Sequence, residues 1–336
     1  MKLLNNWCPA ASSTFALCAL LFVLCGSVHA QQPGKVFRIG YLDPSTVSGS
    51  AALLETFRQE LSKLGWVEGK NLVFEYRFAE LKPERVAELA AELVRLNVDL
   101  IMTSGVPPAL EAKKATSTIP IVMVNLADAV GLGLVASLGR PGGNITGFDT
   151  LAFELNTKRL EVLKDAIPKL DRVGLLRLSA YNAGEELQLK ELRVAATALK
   201  VELEEIKTQL DPQGLESAFK TAKQKQVGAI ITTSTQRFFA ERKRILELAT
   251  KHRLPAIYSW KDYVDEGGLM SYGVDYDDQY RKAAQYVDKI LKGAKPADLP
   301  VQQATKFEFI INLKAAKQIG LTIPNRVLER ANKVVK

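Results

Sequence analysis

The chain has 336 residues, 47% of them hydrophobic and 24% charged, and a formal net charge of +8. That length holds two domains of ordinary size or one large one. All three cysteines (Cys8, Cys18, Cys25) and one of two histidines, His29, fall in the first 30 residues. A chain without that segment keeps only His252 and no thiol. This leaves almost no room for Ser-His-Asp or Cys-His catalysis, disulfides or Cys/His metal sites, while two-carboxylate hydrolysis stays open.

The first 30 residues read as a secretory signal peptide. Lys2 leads into a short apolar run, Phe15 to Cys25, too short to span a membrane. Val28-His29-Ala30 then fits a small-x-small cleavage site, with cleavage expected after Ala30. Cys18 and Cys25 each follow Leu, where a lipid-modified cysteine usually follows Gly, Ala or Ser, so simple secretion is preferred to a lipid anchor. Beyond the signal, Lys220, Lys223, Lys225, Arg242, Lys243 and Arg244 are interleaved with acids along helices and read as solvated faces. With no aromatic-basic interleaving, nucleic acid is not an expected partner. His252, between Lys251 and Arg253, reads as a surface residue.

The mature chain alternates strands and helices. Val36–Leu42 is an expected strand, Ser50–Leu64 a helix with its stripe at Leu53, Leu54, Phe57, Leu61 and Leu64, and Asn71–Phe78 a strand. Pro83 opens a helix to Leu96, Val98–Met102 is a strand and Pro107–Ala115 a helix. Ile119–Val124 is a buried strand. A polar corner Asn125–Asp128, a short helix over Gly131–Leu138, a turn at Arg140–Asn144 and a strand at Ile145–Phe148 follow. The alternation predicts a parallel, doubly wound sheet. The pattern then restarts: helix Asn156–Ala166, strand Arg172–Leu178, helix Glu185–Leu199, strand Val201–Ile206, helix Leu215–Lys225, strand Val227–Thr232, helix Arg237–His252 and strand Pro255–Tyr258.

The two halves align. Arg38-Ile39-Gly40-Tyr41-Leu42 matches Arg172-Val173-Gly174-Leu175-Leu176. Val98–Ser104 matches Val227–Thr233, and Ile119–Val122 matches Leu254–Ile257. The offsets are 134, 129 and 135 residues, which reads as two copies of one α/β lobe. The tail completes both: strand Gly268–Val274, helix Tyr276–Leu291, a linker at Gly293–Pro296, strand Phe307–Leu313 and helix Lys314–Ile319. The expected division is 36–148 plus 275–303 for the first lobe and 149–274 plus 304–336 for the second. The chain then crosses at Phe148–Thr150, near Asp275 and near Thr305, and such a hinge lets lobes close as rigid bodies.

Ligands of open parallel sheets bind at the carboxyl ends of strands. Those ends here are small and polar: Ser45 and Thr46; Thr103, Ser104 and Gly105; Asn125, Ala127 and Asp128; Ser179, Tyr181 and Asn182; Thr233, Ser234 and Thr235; Tyr258 and Trp260; and Asp275 at a crossing. Hydroxyls and helix-start amides suit a carboxylate or carbonyl. Asp43, Asp128 and Asp275 suit an ammonium. Tyr181, Tyr258 and Trp260 suit an apolar or aromatic part. The competing reading makes each Ser or Thr a helix cap. No cofactor or metal is expected: DPSTVSG follows the first strand in place of G-x-G-x-x-G, and no P-loop occurs.

The run TIPIVMVNLADAVGLGLVASLGRPGGNITG, with GWVEGKNLVFEYR before it and INLKAAKQIGLTIP near the end, resembles the ABC-transporter substrate-binding proteins of the TrpX-like group. The likeness covers essentially the whole mature chain. It implies the type I periplasmic-binding-protein fold, two α/β lobes with parallel sheets joined by three strands, a solute in the cleft and an ABC permease in the inner membrane as partner. The loops named above match the family's cleft positions, except that relatives often carry Pro after Asn where this chain has Tyr181-Asn182-Ala183. The expectation is a monomeric periplasmic binder of a small organic solute, an amino acid or related carboxylate with an aromatic one in view, and no catalysis. The alternatives are an exported Rossmann-like enzyme on a small carboxylate or sugar, which needs a close carboxylate pair, and a ligand-sensing domain for a membrane receptor.

Overall fold

Runs of β-branched and aliphatic residues build two sheets in the computed structural model, which describes residues 35–179 and 183–336. The expected signal peptide, Tyr181 and Asn182 lie outside the described residues. The first sheet contains β1 (Phe37–Asp43), β2 (Leu72–Phe78), β3 (Leu100–Ser104), β4 (Ile121–Leu126), β5 (Ile145–Asp149) and β11 (Gln302–Gln303). Their order is β11-β5-β4-β3-β1-β2 and every pair is parallel. The second contains β6 (Arg172–Leu178), β7 (Glu202–Thr208), β8 (Ala229–Thr232), β9 (Ala256–Tyr258), β10 (Met270–Val274), β12 (Phe307–Asn312) and β13 (Lys333–Val335). Its order is β13-β12-β10-β9-β8-β6-β7, parallel except where β12 runs against β10.

The sequence repeat is a structural repeat. β2, β1, β3 and β4 hold the same places in the first sheet as β7, β6, β8 and β9 in the second. Gly40 and Gly174, equivalent in the repeat, both lack room for a side chain. A Cβ on Gly40 would stand 2.9 Å from Leu93, and one on Gly174 2.9 Å from both Ile206 and Ile230. The crowding comes from the covering helix that carries Leu93 at Gly40 and from side chains of the neighbouring strands β7 and β8 at Gly174.

Helices cover both faces of both sheets, as buried parallel strands require. On the first sheet, α1 (Val47–Lys63) packs Leu54, Phe57 and Leu61 on one face, while α2 (Val86–Arg95) and α3 (Val106–Ala115) cover the other. On the second, α4 (Ala152–Ala166) and α5 (Ala183–Ala198) cover one face, joined by α11 (Leu313–Ile319) and α12 (Asn325–Leu328). The other face holds α6 (Pro212–Gln224), α7 (Gln236–Ala240), α8 (Arg242–Lys251) and α9 (Asp262–Asp265). Helix α10 (Tyr276–Leu291) follows a strand of the second sheet yet buries Tyr280, Ala283 and Val287 in the core of the first.

The chain therefore passes between sheets three times, as expected. After Asp149 the Thr150 amide donates to Leu126 O (2.7 Å). Asp275 N donates to Lys306 O (3.1 Å), and Ala304 N to Asp149 O (2.8 Å). The three connections are thus hydrogen-bonded to one another and to β4. Among the described residues no helix is long and apolar enough to cross a membrane.

Three local expectations are corrected. Residues 131–138 form turns and no helix, because Gly133 takes φ 65° and Asp128 φ 55° and these break propagation; Leu134 and Val135 are nevertheless buried. The helix expected over Arg237–His252 is two, α7 and α8, divided at Glu241. His252 is partly buried, its ring stacked on Phe219 with centroids 6.0 Å apart.

The pairing of β4 with β5 depends on Gly147, which faces Met123 at φ 143°. A Cβ there would lie 2.0 Å from Met123 O, a backbone atom that cannot rotate away. Gly147→Ala is expected to lose at least about 3 kcal/mol of stability in urea unfolding; a loss below about 1 kcal/mol would contradict the close approach.

Candidate functional site

The register of β4 against β5 shifts between Met123 and Leu126, and the displaced residue is Asn125, at φ 54°. Asparagine tolerates this left-handed conformation better than most residues. The irregularity turns Asn125 and Ala127 into the wall of a cavity with about 730 Å³ of space between its lining atoms, part of it open to solvent. Gly105, Val106 and Pro107 from the end of β3 and the start of α3, together with Pro44 after β1, extend that wall. Ser234, Thr235, Gln236 and Arg237 after β8 face it from the second sheet, with Leu178, Gln188 and Trp260. Thr150, Ala152 and Tyr276, at two of the crossings, line the hinge side. The cavity thus lies at the carboxyl ends of both sets of strands.

Of the residues named from sequence, Gly105, Asn125, Ala127, Ser234, Thr235 and Trp260 line this cavity. Ser104 lies directly behind it. Its hydroxyl accepts from Asn125 Nδ2 (2.9 Å) and from Gln236 Nε2 (3.2 Å), with Tyr280 OH at 3.4 Å. The Gln236 bond joins the second lobe to the first across the cleft. Asn125 Nδ2 also donates to Tyr280 OH (3.1 Å), and the Asn125 amide N–H to Gln279 Oε1 (3.1 Å). With its donors engaged, Asn125 Oδ1 is left buried without a partner, as is Gln236 Oε1. Two buried acceptors without a hydrogen-bond partner therefore belong to residues on facing sides of the cavity, and such atoms cost free energy.

The other named residues do not line the cavity. Ser45 is fully buried, its amide donating to Asp43 Oδ1 (2.8 Å). Thr46 caps α1 through Gly49 N (3.1 Å). Thr103 and Thr233 are buried within strand ends. Asp128 accepts from Gly131 N (2.8 Å) and Asp275 caps α10 by accepting from Asp278 N (2.9 Å). Ser179 is exposed, its amide donating to Thr208 O (2.9 Å). Tyr258 stacks on Tyr263 in the core, ring centroids 4.2 Å apart, and burial pushes its hydroxyl pKa well up. Capping, turn closure and burial account for all of these positions but the exposed Ser179.

Of the three aromatic residues named from sequence, Trp260 lines the cavity. Its ring is stacked between Phe239 (4.2 Å) and Tyr276 (4.3 Å). Val106, Pro107, Gln236 and Arg237 escaped the sequence reading although each opens the helix after a polar strand end, a signal that was available. Thr150, Ala152 and Tyr276 adjoin named crossings, and Pro44 adjoins Ser45. Leu178 and Gln188 carry no local signal, since only tertiary packing turns them to the cleft.

The residues 46–335 match the family model described as ABC transporter substrate binding protein. The chain is similar to the tyrosine-binding protein of Clostridioides difficile, 27% identical over 271 residues, which cover 79% of this chain and 75% of that protein. It is similar in structure to a conserved domain protein from Vibrio cholerae, with 28% identity, TM-score 0.82 and coverage of 89% and 100% of the two chains. It also resembles the ABC domain from Streptococcus pneumoniae in complex with L-Trp, with 25% identity, TM-score 0.77 and coverage of 88% and 100%.

Asp43, expected to face a ligand, is fully buried beneath the cavity. It accepts from Tyr41 OH (2.8 Å), Ser45 N (2.8 Å) and Ser50 OH (2.9 Å). Burial outweighs these donors and raises its pKa. The folded state therefore holds this proton more tightly than the unfolded chain does. The resulting stabilisation is complete below the unfolded value of about 3.9 and is lost as pH rises through the folded value. The stability cost of Asp43→Asn should accordingly be largest near pH ~4 and shrink toward pH ~7; chemical unfolding across that range reads the trend, and a cost that grows with pH contradicts it.

Proposed function

The chain belongs to the ABC transporter substrate binding protein family, and we propose that it is the periplasmic solute-binding component of an importer whose cargo is an amino acid with an aromatic side chain. One observation carries the reading. The cavity sets a stacked aromatic surface, Trp260 on Tyr276, beside two buried, unsatisfied acceptors, Asn125 Oδ1 and Gln236 Oε1. An ammonium satisfies such acceptors, and an aromatic ring packs edge-on against such a stack, since both faces of Trp260 are covered by Phe239 and Tyr276. The relatives support it, since one is named for tyrosine and another holds L-Trp. A hydrolytic reading calls for a carboxylate pair, and the described cavity lining contains no Asp or Glu.

In this reading residues 1–30 direct export, the mature chain acts as a monomer, and the closed form is delivered to an ABC permease in the inner membrane. The lobes are residues 36–148 with 275–303 and residues 149–274 with 304–336. Strand membership supports this division, since β11 returns to the first sheet and β12 to the second. The Gln236–Ser104 bond across the cleft belongs to the closed state and opens for release.

L-Tyr or L-Trp at about 100 times Kd should stabilise the protein by roughly 2.7 kcal/mol and raise Tm by on the order of 5 °C. A panel in which no aromatic amino acid moves Tm sinks the ligand assignment. Binding of L-Tyr should also change the intrinsic fluorescence, through Trp260. Trp260→Phe is expected to abolish that change and Trp66→Phe to keep it, because Trp66 is tied to Asp288 (2.8 Å) outside the cavity lining.

A further inference from the structure

Arg159, on α4 just beyond the hinge, is one of the most deeply buried side chains of the molecule, with 1% of its surface exposed. Its guanidinium donates from Nη1 to Tyr272 O (2.8 Å) and from Nη2 to Ser234 Oγ (2.7 Å) and Asn156 Oδ1. Nε has no partner. Every acceptor is neutral, and no ion pair among the described residues includes Arg159. Arg177, also buried, differs in kind, because it is paired with Glu205 at 2.5 Å. Neutral acceptors satisfy the hydrogen bonds of a buried cation but do not neutralise it, and such a charge is costly until an anion arrives. Burial lowers the Arg159 pKa to about 10, so the charge persists at neutral pH.

That charge is wired to the cavity. Ser234 and Gln188 both line it. Gln188 Oε1 accepts from Asn156 Nδ2 (3.1 Å) and from Ser234 N (3.2 Å), which leaves its Nε2 hydrogens as donors. Ser234 Oγ accepts from the guanidinium and donates only a long bond to Asn156 Oδ1 (3.4 Å), a proton that a closer anion in the cavity can draw away. One edge of the cavity thus presents donors backed by a full positive charge. The edge carrying Asn125 Oδ1 and Gln236 Oε1 presents acceptors.

We infer that Arg159 is a specificity-determining residue, which selects a carboxylate-bearing ligand by acting through Ser234 and Gln188 as a positioning residue without touching the ligand itself. The ligand carboxylate completes the missing ion pair and meets Ser234 Oγ and Gln188 Nε2 with charge-assisted hydrogen bonds. The inference rests on the assignment of the cleft as the solute site, and it adds the requirement that one end of the solute be anionic.

The test compares affinities for L-tyrosine and L-tyrosinamide, which keeps ring and ammonium but loses the carboxylate, by calorimetry on the mature protein. The wild type should prefer the acid by at least about 30-fold, the scale of a charge-assisted over a neutral hydrogen bond. Arg159→Gln should reduce that ratio to a few-fold, with amide affinity nearly unchanged, and Arg159→Lys should restore part of it. A purely structural role would weaken both ligands alike and leave the ratio intact, which overturns the inference. Should Arg159→Gln fail to fold, Ser234→Ala, which keeps the charge and cuts its link to the cavity, must show the same collapse of the ratio. A parallel panel of other small carboxylates and their amides separates the two claims. An Arg159-dependent preference for a carboxylate that is not an amino acid overturns the amino-acid assignment and supports this inference. L-Tyr binding with an Arg159-independent ratio overturns this inference alone. A wild type that binds only uncharged solutes overturns both.

Discussion

The join between β4 and β5 governs both the hinge and the cavity wall. Gly147 lets β5 lie against the Met123 backbone, and the register shift that follows is absorbed at Asn125. One residue later the Leu126 carbonyl receives the Thr150 amide, and Asp149 O receives Ala304 N from the third crossing. The same few residues therefore determine where the chain leaves the first lobe and where the cavity's amide is presented. A polar side chain at such a strand irregularity is positioned by the backbone hydrogen bonds of the residues on either side.

Around that join the two lobes divide the chemistry unequally. The first contributes a connected polar network, in which Asp43, Tyr41, Tyr280, Ser104 and Asn125 follow one another by hydrogen bonds. Its charged member is buried away from the cavity, with a pKa displaced toward the neutral acid. The second lobe contributes Phe239, Trp260 and the deeply held Arg159, and Trp260 stacks in turn on Tyr276 of α10, which packs on the first sheet. Under the proposed function, a zwitterion with an aromatic side chain would contact both halves at once, and contacts made only in a closed form are the condition under which a ligand shifts a two-state equilibrium.

Helix α10 shows why the lobes are interdependent. Its cap, Asp275, sits at a crossing, Tyr276 faces the cavity, and one turn later Tyr280 reaches the polar network of the first lobe. A rotation of the lobes moves all three, so site geometry and hinge angle are coupled through one rigid element.

Alternation of short apolar strands with amphipathic helices specifies a doubly wound fold through local periodicity, and the repeat of Arg38–Leu42 in Arg172–Leu176 revealed two lobes. The three crossings were legible for the same reason, because a strand pattern that stops at Phe148 and restarts at Arg172 leaves few other paths. The family was legible in one long distinctive run. At the site, strand-end position identified Gly105, Asn125, Ala127, Ser234, Thr235 and Trp260. It could not separate these from Thr46 and Asp275, because a capping side chain and a ligand-binding side chain have the same composition and the same place at a helix start. Of the acids named to hold an ammonium, Asp43 is buried, Asp128 closes a turn and Asp275 caps a helix, and none lines the cavity. Gln188 and Arg159 sit inside helices with no mark of function in their neighbours. Their roles arise where α4, α5 and the loop after β8 converge, and a long-range convergence leaves no periodicity in the chain to be read.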